Sequence, residues 1–480
     1  MTTVHGGISI SKPLPLITAL LEYAAKERIP FHTPGHKGGR GLAPVLREQV
    51  LEKMDLTELP GLDDLHQPSG VIAESQASCA SRYGAMATYF LVNGASVGIE
   101  AAMMSVLGPD QPVLVPRNAH KSVYSALILS GARPVYYLPE VHPEFGLALG
   151  QDPEKMLCLA GIANLNTAVT LYPTYFGTTW ALDLFRLKFQ GTIIADEAHG
   201  AHLAFSPSLP TSALALGADL VVQSTHKTLG AFTQGALLHI NKNSLVSRQS
   251  VSGALDVLQT TSPSYLIMAS LESAVWDAGD RGGAHWSTLV ERAVQLKRKL
   301  TDRGLRVLDE SDIGSHGIAG LDHTKLLLHT PGQAAEVASE LTERWGVQPE
   351  LWDRDNILFL LGMGDSEGSM DRLEQALTSV RVKEFTPGQN FFWPVLPTPI
   401  LTPREAYFSP KVLVPLEKAV GRICAQTVSA YPPGIPLIAP GEIIAAEHCA
   451  YITESLDAGV HWQGLEVKRA NQILVIEEKL

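Results

Sequence analysis

Cysteine is scarce in this chain, with four in 480 residues. Cys79, Cys158, Cys424 and Cys449 never approach a Cys-x-x-Cys spacing. That excludes a disulfide framework and a cysteine-based zinc module, and leaves reduced, mostly buried thiols. Charge is also sparse, at 18% of residues, and its balance is acidic, with a formal net charge of −12. A strongly basic surface, which nonspecific nucleic-acid binding requires, is therefore missing. Long apolar runs are absent too. The runs present are short and broken by glycine, proline or polar residues, so no membrane span is expected. Met1 to Leu21 lacks the charged-then-apolar pattern of a secretory leader. The expected location is the cytoplasm. No internal repeat or low-complexity segment is evident.

What is present is apolar content for a large core, 45% of a chain long enough for about two to three domains. Residues 14–28 read as an amphipathic helix with Leu16, Leu20, Tyr23 and Ala24 on one side, ended by Pro30. The glycine-rich segment Phe31-His-Thr-Pro-Gly-His-Lys-Gly-Gly39 lacks the Gly-Lys-Ser/Thr ending of a nucleotide loop and follows no apolar strand, so it reads as an ordered loop. From about residue 88 onward, fully apolar strands alternate with helices. This is the pattern of a mostly parallel sheet covered on both faces. Strands at 324–328 and 356–361, with helices at 334–345 and 370–380, read as a smaller α+β unit. The division expected is an N-terminal helical segment at 1–30, a large α/β domain at 31–295 and a C-terminal α+β domain at 296–480.

Two strand ends stand out. The run Thr192-Ile-Ile-Ala-Asp196 ends in a carboxylate, and Asp219-Leu-Val-Val-Gln223 runs into Ser224-Thr-His-Lys227. Open α/β sheets bind ligands beyond the carboxyl ends of their strands. A lysine and an aspartate at such ends suit pyridoxal 5′-phosphate. That cofactor needs a lysine for its aldehyde and an acidic partner for its ring nitrogen. Gly94, Ala95 and Ser96, at a helix start, offer an anion site, although a plain N-cap would look the same. His120 follows another strand and could lie flat on a pyridine ring or be an ordinary loop histidine. Asp196, His199 and His202 superficially resemble a metal triad. No metal is expected, because the cysteines lie elsewhere and pairing with the ring nitrogen explains Asp196 better. Ser224 and His226 are placed near the cofactor phosphate.

Taken together and in order, these segments resemble the group III Orn/Lys/Arg decarboxylases of PLP fold type I. The similarity rests on Phe31-His-Thr-Pro-Gly-His-Lys37, Leu62-Asp-Asp-Leu-His66, Asn93-Gly94, Arg117-Asn-Ala-His-Lys-Ser122 and Pro173-Thr-Tyr-Phe-Gly177. It continues through Asp196-Glu-Ala-His-Gly200, Ser224-Thr-His-Lys227, Thr260-Thr-Ser-Pro-Ser264 and Tyr431-Pro-Pro-Gly-Ile-Pro436. The chain resembles the short form, without the N-terminal wing of the long enzymes, as in bacterial and cyanobacterial arginine decarboxylases. The resemblance implies a PLP-dependent transferase-like large domain with a seven-stranded, mostly parallel sheet. It also implies that Lys227 binds the cofactor, Asp196 pairs with its ring nitrogen and His120 stacks on the ring. Gly94, Ala95, Ser96, Ser224 and His226 would hold the phosphate. Thr261 and Ser262 would approach from a partner subunit of a homodimer. Two positions depart from the family: Ala95, where a hydroxyl is common, and His199, where the long enzymes carry tryptophan.

The expected reaction is α-decarboxylation of a basic L-amino acid, with Lys227, Asp196, His120 and His226 in the chemistry. Arginine is the expected substrate, with lysine and then ornithine as alternatives, in polyamine synthesis. Glu442, Asp63 and Asp64 are candidates for the substrate's distal cation, although each could equally be a capping or solvated carboxylate. An aminotransferase, with an arginine such as Arg404 on the substrate carboxylate, is one rival. A non-catalytic regulatory paralogue is another.

Overall fold

The computed structural model describes residues 26, 28–48, 53–382, 396–431, 435–457, 460–466 and 471–477. The expected helix at 14–28 falls almost wholly outside these residues, as does the Pro-Pro-Gly of the 431–436 segment.

A seven-stranded sheet organises the large unit. Its order is Ala85–Leu91, Ala236–Asn241, Leu220–Gln223, Thr192–Asp196, Thr167–Leu171, Pro112–Pro116 and Arg133–Tyr137. The last five are parallel, and Ala236–Asn241 runs antiparallel to both its neighbours. The strands lack polar alternation because both faces are covered. Leu114, Ile193, Ala195 and Val221 enter one apolar cluster, whereas Val113, Val115, Ile194 and Val222 enter the other. Helix Gly94–Met104 lies tightly on the second face. A Cβ on Gly98 would come 2.5 Å from Leu91 Cδ1 and 2.7 Å from Val222 Cγ1, so only glycine permits this approach.

The smaller unit has an antiparallel sheet ordered Arg306–Val307, Lys325–His329, Asn356–Leu360 and Leu351–Trp352. Strand Ile29–Phe31, from the start of the described chain, pairs in parallel with Val347–Pro349. The sequence offers no sign of that pairing, whose partners lie over three hundred residues apart. The boundary expected at 295/296 falls inside helix Gly282–Asp302. Beyond it, Leu326, Leu328, Phe359 and Leu373 join the same apolar cluster as Leu114 and Ile193 of the large sheet, whereas Leu416, Ile438, Ile452, Trp462 and Val475 belong to a cluster of their own. Among the described residues, no helix is long and apolar enough to cross a membrane.

Candidate active site

A cavity of about 1030 Å³ opens beyond the carboxyl ends of the parallel strands, where the large sheet faces the small one. Asp196 ends its strand and is 5% exposed, with Oδ1 accepting from the Ala198 N–H at 3.1 Å. On the adjacent strand, Gln223 leads into a single helical turn, Thr225–Thr228, that carries His226 and Lys227. Asp196, Ser224, His226 and Lys227 all line the cavity. The turn is fixed from outside by the glycine-rich loop. Gly35 N–H donates to His226 O at 2.7 Å, and a Cβ on Gly35 would meet Leu229 O at 2.6 Å. The Phe31–Gly39 segment is thus a wall of the site, with His32 and Thr33 lining it.

Lys227 Nζ lies 3.0 Å from His199 Nε2. Burial pushes the Lys227 ammonium below the ordinary lysine range, against the pull of Asp196 and Glu350. Burial also holds His199 well below its usual range, with Lys227 adding to the effect, so the imidazole is neutral and accepts from Nζ. The Tyr175 ring is tilted against His199, with centroids 4.3 Å apart. His226 is lowered to about 4 by burial, and its Nδ1 is 3.0 Å from Gly235 O. A carbonyl only accepts, so Nδ1 carries the hydrogen.

Gly94, Ala95 and Ser96 line the cavity at the start of helix Gly94–Met104. Asn93 makes no side-chain cap there, because its Oδ1 accepts from the Thr260 N–H at 3.0 Å. The helix start is left open toward the cavity. His120 caps helix Lys121–Ser130 through Nδ1 and is exposed on the cavity wall. The buried Asn118 Oδ1 beside it has no partner among the described residues.

Other expected residues lie elsewhere. Asp196, His199 and His202 take separate partners: His202 Nε2 bonds Asp322 Oδ2 at 2.9 Å, away from the cavity. Thr261 and Ser262 are exposed and do not line this chain's cavity. The three carboxylates expected at the substrate's distal cation are also placed otherwise. Glu442 is 1% exposed and gripped by Arg117 at 2.6 and 2.8 Å, with Ala439 N–H donating at 2.6 Å. Asp63 accepts from the N–H groups of Ser69, Gly70, Ile72 and Ala73 at the start of helix Val71–Tyr83. Asp64 accepts from the His66 N–H at 2.8 Å on the surface. None of the three lines the cavity.

The carboxylate that lines it besides Asp196 is Glu350, which no motif in the sequence singles out. It follows the strand that pairs with Ile29–Phe31. Its Oε1 accepts from Tyr175 OH at 2.6 Å and its Oε2 from Thr33 N–H at 2.7 Å. Nothing local in Val347-Gln-Pro-Glu350 signals a ligand site. The position arises from packing the small sheet against the loop at 31–39.

Comparison with known proteins agrees with this geometry. Residues 14–369 match the profile of the Orn/Lys/Arg decarboxylase major domain, and residues 388–468 match that of its C-terminal domain. The arginine decarboxylase of Bacillus subtilis (strain 168) is 36% identical, over 97% of this chain and 98% of the relative. That of Bacillus anthracis is 37% identical, over 97% of each. Lysine decarboxylase A from Pseudomonas aeruginosa superposes with a TM-score of 0.76 at 24% identity, covering 96% of this chain and 80% of that one. The fold is that of the fold type I PLP enzymes, and the chain belongs to the Orn/Lys/Arg decarboxylase family.

Proposed function

We propose that the cavity binds pyridoxal 5′-phosphate and that the chain removes the α-carboxylate of L-arginine. The observation that carries this is the meeting of Lys227 and Asp196 in one cavity, from the ends of two adjacent parallel strands. The remaining residues fit the cofactor. The open start of helix Gly94–Met104, with Ser96, Ser224 and His226, suits a phosphate. Ala95 brings no hydroxyl to it. His120 presents a ring to the cavity, and the unpartnered Asn118 Oδ1 accepts one further donor.

When bound, the cofactor supplies an electron sink for the bond between Cα and the carboxylate. The chain supplies the rest. Lys227 presents an amine that burial helps to keep unprotonated, and His199 Nε2 orients it. Asp196 holds a proton at the ring nitrogen. The proton returned to Cα would come from Lys227 Nζ, once it has taken up the proton that the incoming substrate ammonium gives up, or from His226, which lines the same cavity. Glu350 takes the distal cation, in place of Glu442, Asp63 or Asp64. Its two oxygens are pinned by Tyr175 and Thr33, which suits the two-point contact of a guanidinium.

Arginine is favoured by the names of the relatives above, with lysine and ornithine next. An aminotransferase is less well supported. Arg404 donates to the Ile128 and Leu129 carbonyls, and among the described residues no arginine lines the cavity to hold an α-carboxylate. Exposed Thr261 and Ser262 would complete a neighbouring site in a homodimer, in a cytoplasmic enzyme of polyamine synthesis. The test is carbon dioxide release by the purified protein from arginine, lysine and ornithine, with and without added cofactor and with no keto acid. Agmatine as the main product supports the reading, and predominant cadaverine or putrescine refutes the substrate. Full turnover by Lys227→Ala would refute the chemistry.

A further inference from the structure

We propose that Trp352 sets substrate specificity: its indole is the face on which a planar guanidinium lies while Glu350 takes the edge. The inference rests on the reading above and deepens it.

Glu350 N–H donates to Leu358 O, and the register then pairs Leu351 with Leu358 and Trp352 with Ile357. Glu350 sits in the bend that leads into the short strand Leu351–Trp352, and Trp352 follows two residues on, about 7 Å along the chain. Leu351 between them packs against the cluster that holds Phe145, Leu327 and Leu358. Glu350, Leu351 and Trp352 all line the cavity, and of the three Glu350 brings a charge and Trp352 a ring. Trp352 is 40% exposed, an unusual state for so large an apolar side chain in a cavity wall. Among the described residues, no ring or guanidinium is stacked on it.

Glu350 is half-satisfied. Each of its oxygens accepts one hydrogen bond from the protein, which leaves a lone-pair direction on each. A guanidinium can meet both oxygens in its own plane and present its weakly hydrated face to an indole. An ammonium is a compact, strongly hydrated charge. It gains from the carboxylate but much less from the ring, and stripping its water costs more. Glu350 therefore attracts any basic amino acid, and Trp352 separates guanidinium from ammonium.

The test uses the full-length protein loaded with cofactor. kcat/KM is measured for arginine and lysine, together with inhibition by agmatine and cadaverine, in wild type, Trp352→Leu and Trp352→Phe. Unchanged circular dichroism verifies folding. Expected in Trp352→Leu is a loss of about tenfold in kcat/KM for arginine and a matching rise in the agmatine inhibition constant, with lysine and cadaverine changed less than about threefold. Trp352→Phe, which keeps a ring, retains most of the arginine activity. Equal changes for both amino acids, or none, in Trp352→Leu overturn the role of Trp352 but leave the arginine reading standing. A wild-type enzyme that prefers lysine or ornithine overturns that reading and this inference together.

Discussion

Asp196 lies at the carboxyl end of a central strand, 5% exposed, with one oxygen held by the Ala198 N–H. Its proposed task is electrostatic, so removing the charge while keeping the shape is the informative change. Asp196→Asn should bind cofactor yet turn over at least about tenfold more slowly, a barrier rise of about 1.4 kcal/mol, read as kcat at saturating cofactor. Near-normal kcat would remove Asp196 from that role. Glu442 calls for the opposite kind of experiment. Its partner Arg117 also donates to the Pro436 and Leu437 carbonyls and lies over the Tyr136 ring at 4.8 Å. The pair ties the loop that bears Asn118 and His120 to the C-terminal region. Breaking one side of a buried ion pair strands the other charge. Glu442→Gln should therefore cost about 3 kcal/mol of stability in denaturant unfolding, with KM for basic amino acids moving less than about twofold. A large KM increase at unchanged stability would return Glu442 to the substrate.

At the scale of elements, helix Val71–Tyr83 shows why Asp63 resembled a ligand. Gly70, at the N-cap, has no side chain to offer, and Asp63 reaches in from seven residues upstream to accept several of the first N–H groups. Although burial works against it, these donors bring the Asp63 carboxyl down to about 2. Asp63→Ala should destabilise the protein by about 1 kcal/mol, the usual worth of a lost cap, and leave kcat unchanged. Circular dichroism melts and an activity assay check both halves. The glycine-rich loop is a second element whose partners are remote. Lys37 is buried within it at a positive φ of 51°. Its Nζ donates to His32 O at 3.0 Å and, across to the small sheet, to Leu360 O at 2.8 Å. As a sequence the segment read only as an ordered loop, because what makes it a cavity wall is its contact with Leu360, Glu350 and the Lys227 turn.

For the whole molecule, buried histidines dominate the response to acid. Burial lowers His226 and His323 to about 4 and His239 to about 3, and lowers His199 and His202 as well. Between the unfolded value of 6.5 and about 4, the unfolded chain takes up protons that the folded one does not, so stability falls as pH falls. Glu197, raised to about 8 by burial, works the other way between 8 and 4.5, as do the raised His66, Glu100, Asp353 and Asp365 in their own ranges, but eight histidines are lowered, His32, His36 and His120 among them. The melting temperature should therefore drop steadily from pH 6.5 to 4, and His239→Gln should flatten that slope by about 1.4 kcal/mol per pH unit. A flat profile across the window would contradict the assignment of these rings as neutral. The apolar strands, the fold type and the meeting of Lys227 and Asp196 in one cavity were legible in the sequence, because these signals are local: an apolar run makes a buried strand, and its carboxyl end opens on the cavity. Which of the other acidic residues opens into the cavity was not. Glu350, Glu442 and Asp63 are alike as letters, and only the packing of segments hundreds of residues apart decided that one opens into the cavity, one grips an arginine and one caps a helix.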